Sequence, residues 1–148
     1  MKQKEIMAML YACHGIAQMS TCERKKVGAI AAKNHNIISY GYNGTTPGDS
    51  NKCEDKNGNT KEDCLHAEKN LLMKISRDGT AGTSGADLFL TLSPCPDCAI
   101  MIHRAGFRAV YFMEEYRCKE GVDWLIDHGI DCHHISIDDV FETEKWER

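Results

Sequence analysis

From Leu88 to Ile137 the chain switches repeatedly between two hydrophobic periods, and this alternation restricts the fold more than any other feature. Residues 88–92 are a short apolar run rich in strand formers. Residues 95–105 carry apolar side chains at helical spacing and stop at Gly106, and residues 109–112 return to a strand pattern. Residues 122–128 are helical up to Gly129, and residues 130–137 read as a last strand. A helix placed between two strands returns the chain to the end of the sheet where it began. Strands joined in this way lie parallel.

The first half supplies the rest of the sheet. Ile6, Leu10, Cys13 and Ile16/Ala17 share one face at helical spacing and predict a helix over residues 5–19. Residues 27–32 and 37–42 are strand-forming runs about the polar Lys33-Asn34-His35-Asn36, which predicts a hairpin. A further helix is expected over residues 66–75, closed by Asp78-Gly79. Gly, Asn, Asp, Lys and Thr dominate residues 43–63, a long functional loop rather than a linker. The tail after Ser136 is expected to form a short helix or an ordered arm. The sum is an α/β chain of 148 residues in one domain, residues 1–148, with 42% hydrophobic content to build a core.

Eighteen Lys and Arg against 22 Asp and Glu leave a formal charge of −4, with no basic run to follow a polyphosphate backbone, which argues against a long nucleic acid as partner. The apolar residues 6–13, ending Leu10-Tyr11-Ala12-Cys13, are very short for an export signal, and Glu5 interrupts their basic start. No apolar run approaches the roughly 18–20 residues that a bilayer span requires. The eight cysteines lack the spacing of a secreted disulfide framework, so thiols in a reducing cytoplasm are expected.

Two motifs carry chemistry: His66-Ala67-Glu68 and Pro94-Cys95-Pro96-Asp97-Cys98. His66, Cys95 and Cys98 are three soft zinc ligands, and three protein ligands leave a fourth position for water. Glu68, two residues from His66, is the natural proton carrier for that water. His-x-Glu followed by Pro-Cys-x-x-Cys is the known signature of zinc nucleobase deaminases. Both motifs fall at helix starts, whose unpaired amides and partial positive charge favour thiolates. In the competing reading, a structural zinc closed by Cys64 or another cysteine, Glu68 has no purpose.

Further stretches extend the pattern: Cys22-Glu23-Arg24-Lys25-Lys26-Val27-Gly28-Ala29, Ile37-Ile38-Ser39-Tyr40-Gly41-Tyr42-Asn43-Gly44, Thr91-Leu92-Ser93-Pro94-Cys95-Pro96-Asp97-Cys98 and Glu115-Tyr116-Arg117. With these the chain resembles the deoxycytidylate (dCMP) deaminases of bacterial and phage type, within the cytidine deaminase-like superfamily. The resemblance implies a three-layer α-β-α fold on a five-stranded mixed sheet whose last strands are parallel. It also implies zinc-dependent conversion of dCMP to dUMP and ammonia, which supplies dUMP for thymidylate synthesis. In that chemistry water adds at C4 of the ring while Glu68 carries protons. The Ala67 amide and the Ser93 carbonyl would hold ring O2 and the exocyclic amine. Arg24 and Arg117 would grip the phosphate, Asn43 the sugar 3′-hydroxyl, and Tyr116 would pack near base and sugar. Asn43 could instead hold a left-handed turn before Gly44, and Tyr116 could serve core packing. A tRNA adenosine deaminase shares the zinc motif but would be expected to carry a basic surface; a zinc-stabilised binding protein without turnover would leave Glu68 idle.

The resemblance further implies a second, structural zinc at Cys22, Cys53 and Cys64, with three partly buried thiols as the alternative. It implies a homo-oligomer, hexamer or trimer, and effector control by dCTP with Mg2+ and by dTTP through the Gly41–Gly44 loop. Pro47 stands one place later than in the common pattern, which weakens the case for that control. The compartment implied is the cytoplasm, or the host cytoplasm for a viral chain. Cys13, Cys118, Cys132 and the remaining histidines show no ligand spacing.

Overall fold

The structure, a computed structural model, describes all residues except Pro47, Asp49, Asn51, Glu62, Asp63, Thr80, Ala81, Glu147 and Arg148. In chain order its elements are α1 (Gln3–Ala17), β1 (Gly28–Lys33), β2 (Asn36–Tyr42), α2 (Ala67–Asp78), β3 (Asp87–Leu92), α3 (Pro96–Arg104), β4 (Ala109–Glu114), α4 (Glu120–Asp127), β5 (Asp131–His134) and α5 (Ile137–Phe141), followed by a 3-10 turn at Thr143–Lys145. The sheet order is β2-β1-β3-β4-β5. β1 runs antiparallel to both β2 and β3, and β3, β4 and β5 are parallel, as the helix-strand alternation predicts.

Side chains that alternate along the strands feed two cores. Ala29, Ala31, Leu88, Leu90, Val110 and Phe112 point to the layer of α2, α3 and α4, where Leu71, Ile102 and Leu125 meet them. Ile30, Ala32, Phe89 and Met113 point the other way, onto Ile6, Met7, Leu10 and Cys13 of α1 and Val140 of α5. Helices thus cover both faces of the sheet in three layers. Residues 6–13 are part of this packing: Leu10 and Cys13 are fully buried.

Two local results refine the sequence reading. The hairpin turns through Asn34 (φ 51°) and His35 (φ 67°), two consecutive left-handed residues between the paired Lys33 and Asn36. That is the mirror-image turn whose twist suits adjacent strands. The last strand is shorter than predicted: β5 stops at His134, because the Ser136 side chain accepts a hydrogen bond from the Asp138 amide (3.2 Å) and opens α5. Ile135 and Ile137 continue a strand-like alternation across that boundary and conceal it.

The carboxyl ends of β2, β3 and β4 and the start of β1 share one edge of the sheet, as the pairs Gly28↔Tyr42, Ala29↔Leu90 and Leu92↔Glu114 require. α2 is pinned to that edge. Asn70 Nδ2 donates to the carbonyls of Tyr42 (2.9 Å) and Leu65 (3.4 Å), and Gly44 and Leu65 exchange backbone hydrogen bonds of 3.1 and 2.9 Å. Gly41 admits the helix closely: a Cβ there would lie 2.6 Å from the Ala67 carbonyl oxygen.

Candidate active site

His66 is the residue immediately before α2, and Cys95 the residue immediately before α3, with Pro96 in the first turn. A proline there loses nothing, since the first amides of a helix have no partner within it. Cys98 follows one turn later and is fully buried. The two helix starts converge so that His66 Nδ1 lies 3.5 Å from Cys95 Sγ and 3.4 Å from Cys98 Sγ. A tetrahedral zinc with Zn–S near 2.3 Å and Zn–N near 2.0 Å sets N and S roughly 3.5 Å apart, so these edges fit that ion. The donor set of one imidazole and two thiols suits zinc as well, and its three members leave one corner of the tetrahedron open.

The electrostatics of the trio favour a divalent cation. Cys98 donates to the Cys95 sulfur and lowers that thiol to about 3 against the opposing effect of burial, with His66 lowering it further. The Cys98 thiol is raised by the same bond and by burial. His66 is raised, chiefly by its hydrogen bond with Cys95. Glu68 is 5% exposed, and burial raises its carboxyl above the usual carboxylate range while its own backbone amide and His66 oppose. A buried carboxyl raised in this way holds a proton more readily than an exposed one, as a group that carries protons to a substrate must.

His66 and Cys95 of the trio open onto a cleft of about 260 Å³ whose walls include Glu68, Ala67, Ser93, Asn43, Arg24 and Tyr116. Every sequence-predicted substrate residue except Arg117 is therefore brought to one cavity; Arg117 is exposed and outside the cleft lining. Asn43 is not left-handed, since among the described non-glycine residues only Asn34 and His35 have positive φ. Its side chain clamps the preceding loop instead: Nδ2 donates to the Lys25 carbonyl (2.7 Å), and Oδ1 accepts from the Val27 amide (2.9 Å). Ser93 Oγ accepts from the Tyr116 amide (2.6 Å), which fixes the half-buried Tyr116 on the cleft wall. Lys25, Glu54 and Thr60 also line the cleft and were not foreseen. Glu54 and Thr60 belong to a small antiparallel bridge inside the long loop, a pairing with no hydrophobic period to announce it.

Cys22, Cys53 and Cys64 form a second cluster, buried, with ligand atoms within 4.8 Å of one another. Cys22 and Cys53 are joined as a disulfide, where the sequence predicted thiols, and Cys64 Sγ lies 3.6 Å from Cys22 Sγ. The Lys61 amide bonds the Cys53 carbonyl (2.7 Å), and the Cys64 amide bonds the Lys61 carbonyl (3.1 Å), so the loop folds back and brings the sulfurs together. Among the described residues no fourth His, Cys or carboxylate joins them. No helix of the described residues is long and apolar enough to cross a membrane.

The chain is similar to a solved dCMP deaminase of the cyanophage S-TIM5, in complex with dCMP and dUMP, at 40% identity and a TM-score of 0.88, covering 91% of this chain and 99% of that one. It is 29% identical over 178 residues to the deoxycytidylate deaminase of Enterobacteria phage T4, covering 91% of this chain and 90% of that protein. It is 31% identical over 137 residues to ComE operon protein 2 of Bacillus subtilis (strain 168), covering 89% and 71%. The family model described as the cytidine and deoxycytidylate deaminase zinc-binding region matches residues 2–114, which include both ligand motifs and the hairpin that seats α2 against them. The chain belongs to this zinc-binding cytidine and deoxycytidylate deaminase family.

Proposed function

We propose that the protein hydrolyses dCMP to dUMP and ammonia and so supplies dUMP for thymidylate synthesis. The observation that carries this reading is the buried Glu68 carboxyl on the same cleft wall as His66 and Cys95 of the ligand trio, within a chain similar along 91% of its length to a dCMP deaminase. Zinc, when bound by that trio, supplies the acidity that ionises water near neutral pH. Glu68 takes the proton of the attacking water and delivers it to ring N3 as the C4–O bond forms. It then takes the remaining hydroxyl proton and delivers it to the amino group as the C4–N bond breaks. Ammonia leaves, and a C4 carbonyl remains. The Ala67 amide, in the first turn of α2 where amides lack helical partners, and the Ser93 carbonyl position the ring. Asn43 keeps a lone pair on Oδ1 for the sugar hydroxyl. Arg24 meets the phosphate from the cleft wall, and Arg117 reaches it from outside.

A tRNA adenosine deaminase is the second reading of the motif, and the net charge of −4 disfavours it. Ammonia release from dCMP, deoxycytidine and tRNA by the purified protein separates these readings. Preference for tRNA, or equal efficiency on deoxycytidine and dCMP, would refute the proposal.

We further infer one domain over residues 1–148 in a cytoplasmic homo-oligomer, hexamer or trimer. There, reduced Cys22, Cys53 and Cys64 hold a second, structural zinc, which their clustering supports. Control by dCTP with Mg2+ and by dTTP is supported by a separate groove in which Tyr42, Gly44 and Thr45 face Lys74 and Arg77. Pro47, on which the sequence argument about that loop turned, lies outside the described residues. Sizing of the protein and kinetics with those nucleotides test both points.

A further inference from the structure

The wall of the cleft contains two cationic side chains, Arg24 and Lys25. A phosphate monoester near neutral pH is largely a dianion. Arg24 stands on the cleft wall and Arg117 outside its lining, so within the cleft a single arginine meets that charge, and Lys25 is placed to add to it. Its backbone is held by the Asn43 side chain, which bonds the Lys25 carbonyl at 2.7 Å and the Val27 amide at 2.9 Å. Its ammonium lies 2.7 Å from Glu114 Oε2, which carries it across to the end of β4. The Glu114 carbonyl in turn accepts from the Ser93 amide at 2.9 Å, which ties the residue that holds the ammonium to the Ser93–Tyr116 wall.

The ion pair has little to do with stability, since its side chains are 48% and 44% exposed, and such pairs contribute about 0–1 kcal/mol. An ammonium has three donors, and Glu114 occupies one, so two remain for a ligand. We propose that Lys25 is a specificity-determining residue of the cleft, a further cation for the 5′-phosphate of the nucleotide that acts from the wall beside Arg24. This inference rests on the dCMP reading above.

The test compares kcat/KM on dCMP and on deoxycytidine for the zinc-loaded full chain and its Lys25→Met and Lys25→Gln variants, with zinc content and melting temperature as folding controls. A charge-assisted hydrogen bond at a half-exposed site predicts about a 10-fold fall in the dCMP-to-deoxycytidine ratio, carried by KM. Calorimetric binding of dUMP should weaken by a similar factor, and Lys25→Arg should restore most of the loss. A wild-type protein that does not prefer dCMP would refute the dCMP reading and the Lys25 role with it. A wild-type preference that survives intact in both variants would overturn the Lys25 role alone.

Discussion

Replacing Gly121 by Ala sets two opposed effects against each other, and the structure gives the size of each. Gly121 sits in the first turn of α4, where Ala should favour the helix by about 1 kcal/mol. Its Cβ, however, would stand 2.3 Å from the Pro94 carbonyl oxygen and 2.9 Å from the Cys95 carbonyl carbon and oxygen, whereas ordinary contact begins at 3.4 Å. All three atoms are backbone, in a turn stiffened by Pro94 and Pro96, so relief requires a movement of about 1 Å in the segment that carries Cys95. Overpacking of this kind costs about 1–3 kcal/mol, which outweighs the helical gain. A displacement of about 1 Å in a catalytic constellation costs on the order of 10²-fold in rate. The expected outcome is a net loss of about 1 kcal/mol, read as a melting temperature lower by about 3 °C, together with a roughly 10²-fold slower release of ammonia from dCMP. Gly15→Ala in α1 is the control, since nothing lies within 4 Å of its Cβ and only the propensity gain remains. A Gly121→Ala protein as stable and as active as Gly15→Ala would refute the reasoning.

Glu68→Gln should retain zinc and dUMP binding yet lose turnover by about 10²- to 10⁴-fold, because an amide cannot shuttle protons; ammonia assays paired with metal analysis check this. Zinc loading of the metal-free protein should strengthen as pH rises. The raised Cys98 thiol and raised His66 must lose their protons to the metal, so competition with a chelator at pH 6 and pH 8 should show at least about a tenfold gain per unit. In reductant, the wild type should hold two zinc ions per chain and Cys53→Ser fewer, whereas a wild-type stoichiometry of one excludes the second site. Asn43→Ala removes two hydrogen bonds that shape the Lys25–Val27 loop and should destabilise the protein by about 1–3 kcal/mol in denaturant titration.

The fold was legible where hydrophobic period and terminators agree. Gly79, Gly106 and Gly129 end their helices or follow them closely, and β3 to β5 alternate with α3 and α4 as expected. The metal trio was legible because local spacing fixes it: two helix starts, each with its ligands in a few residues. Lys25, Glu54 and Thr60 were not, because cleft lining depends on how residues 43–63 fold over the edge of the sheet, and that loop is organised by polar backbone bonds and sulfur contacts. The internal use of the Asn43 side chain was hidden for the same reason. Gly121 was hidden for another: its constraint comes from the Pro94–Cys95 turn, 26 residues away in sequence, and in isolation a glycine beside a helix start signals only a weak helix.

The position of the ligands also bears on how the molecule comes together. Cys95 and Cys98 belong to β3-α3-β4-α4-β5, a segment closed by short-range crossovers, whereas His66 arrives with α2, which packs mainly on the β1–β2 hairpin. The two portions join across the antiparallel β1–β3 pairing, whose partners, such as Ala29 and Leu90, are distant in sequence, and under α1, which packs over both strands. Such long closures form late and open early. A metal held from both sides would rivet this seam, and metal removal would turn a cooperative unit into two coupled ones. Hydrogen exchange after chelation should show α2 and the hairpin losing protection before β3 and β4. Uniform loss across the sheet would mean that the β1–β3 junction holds without its rivet.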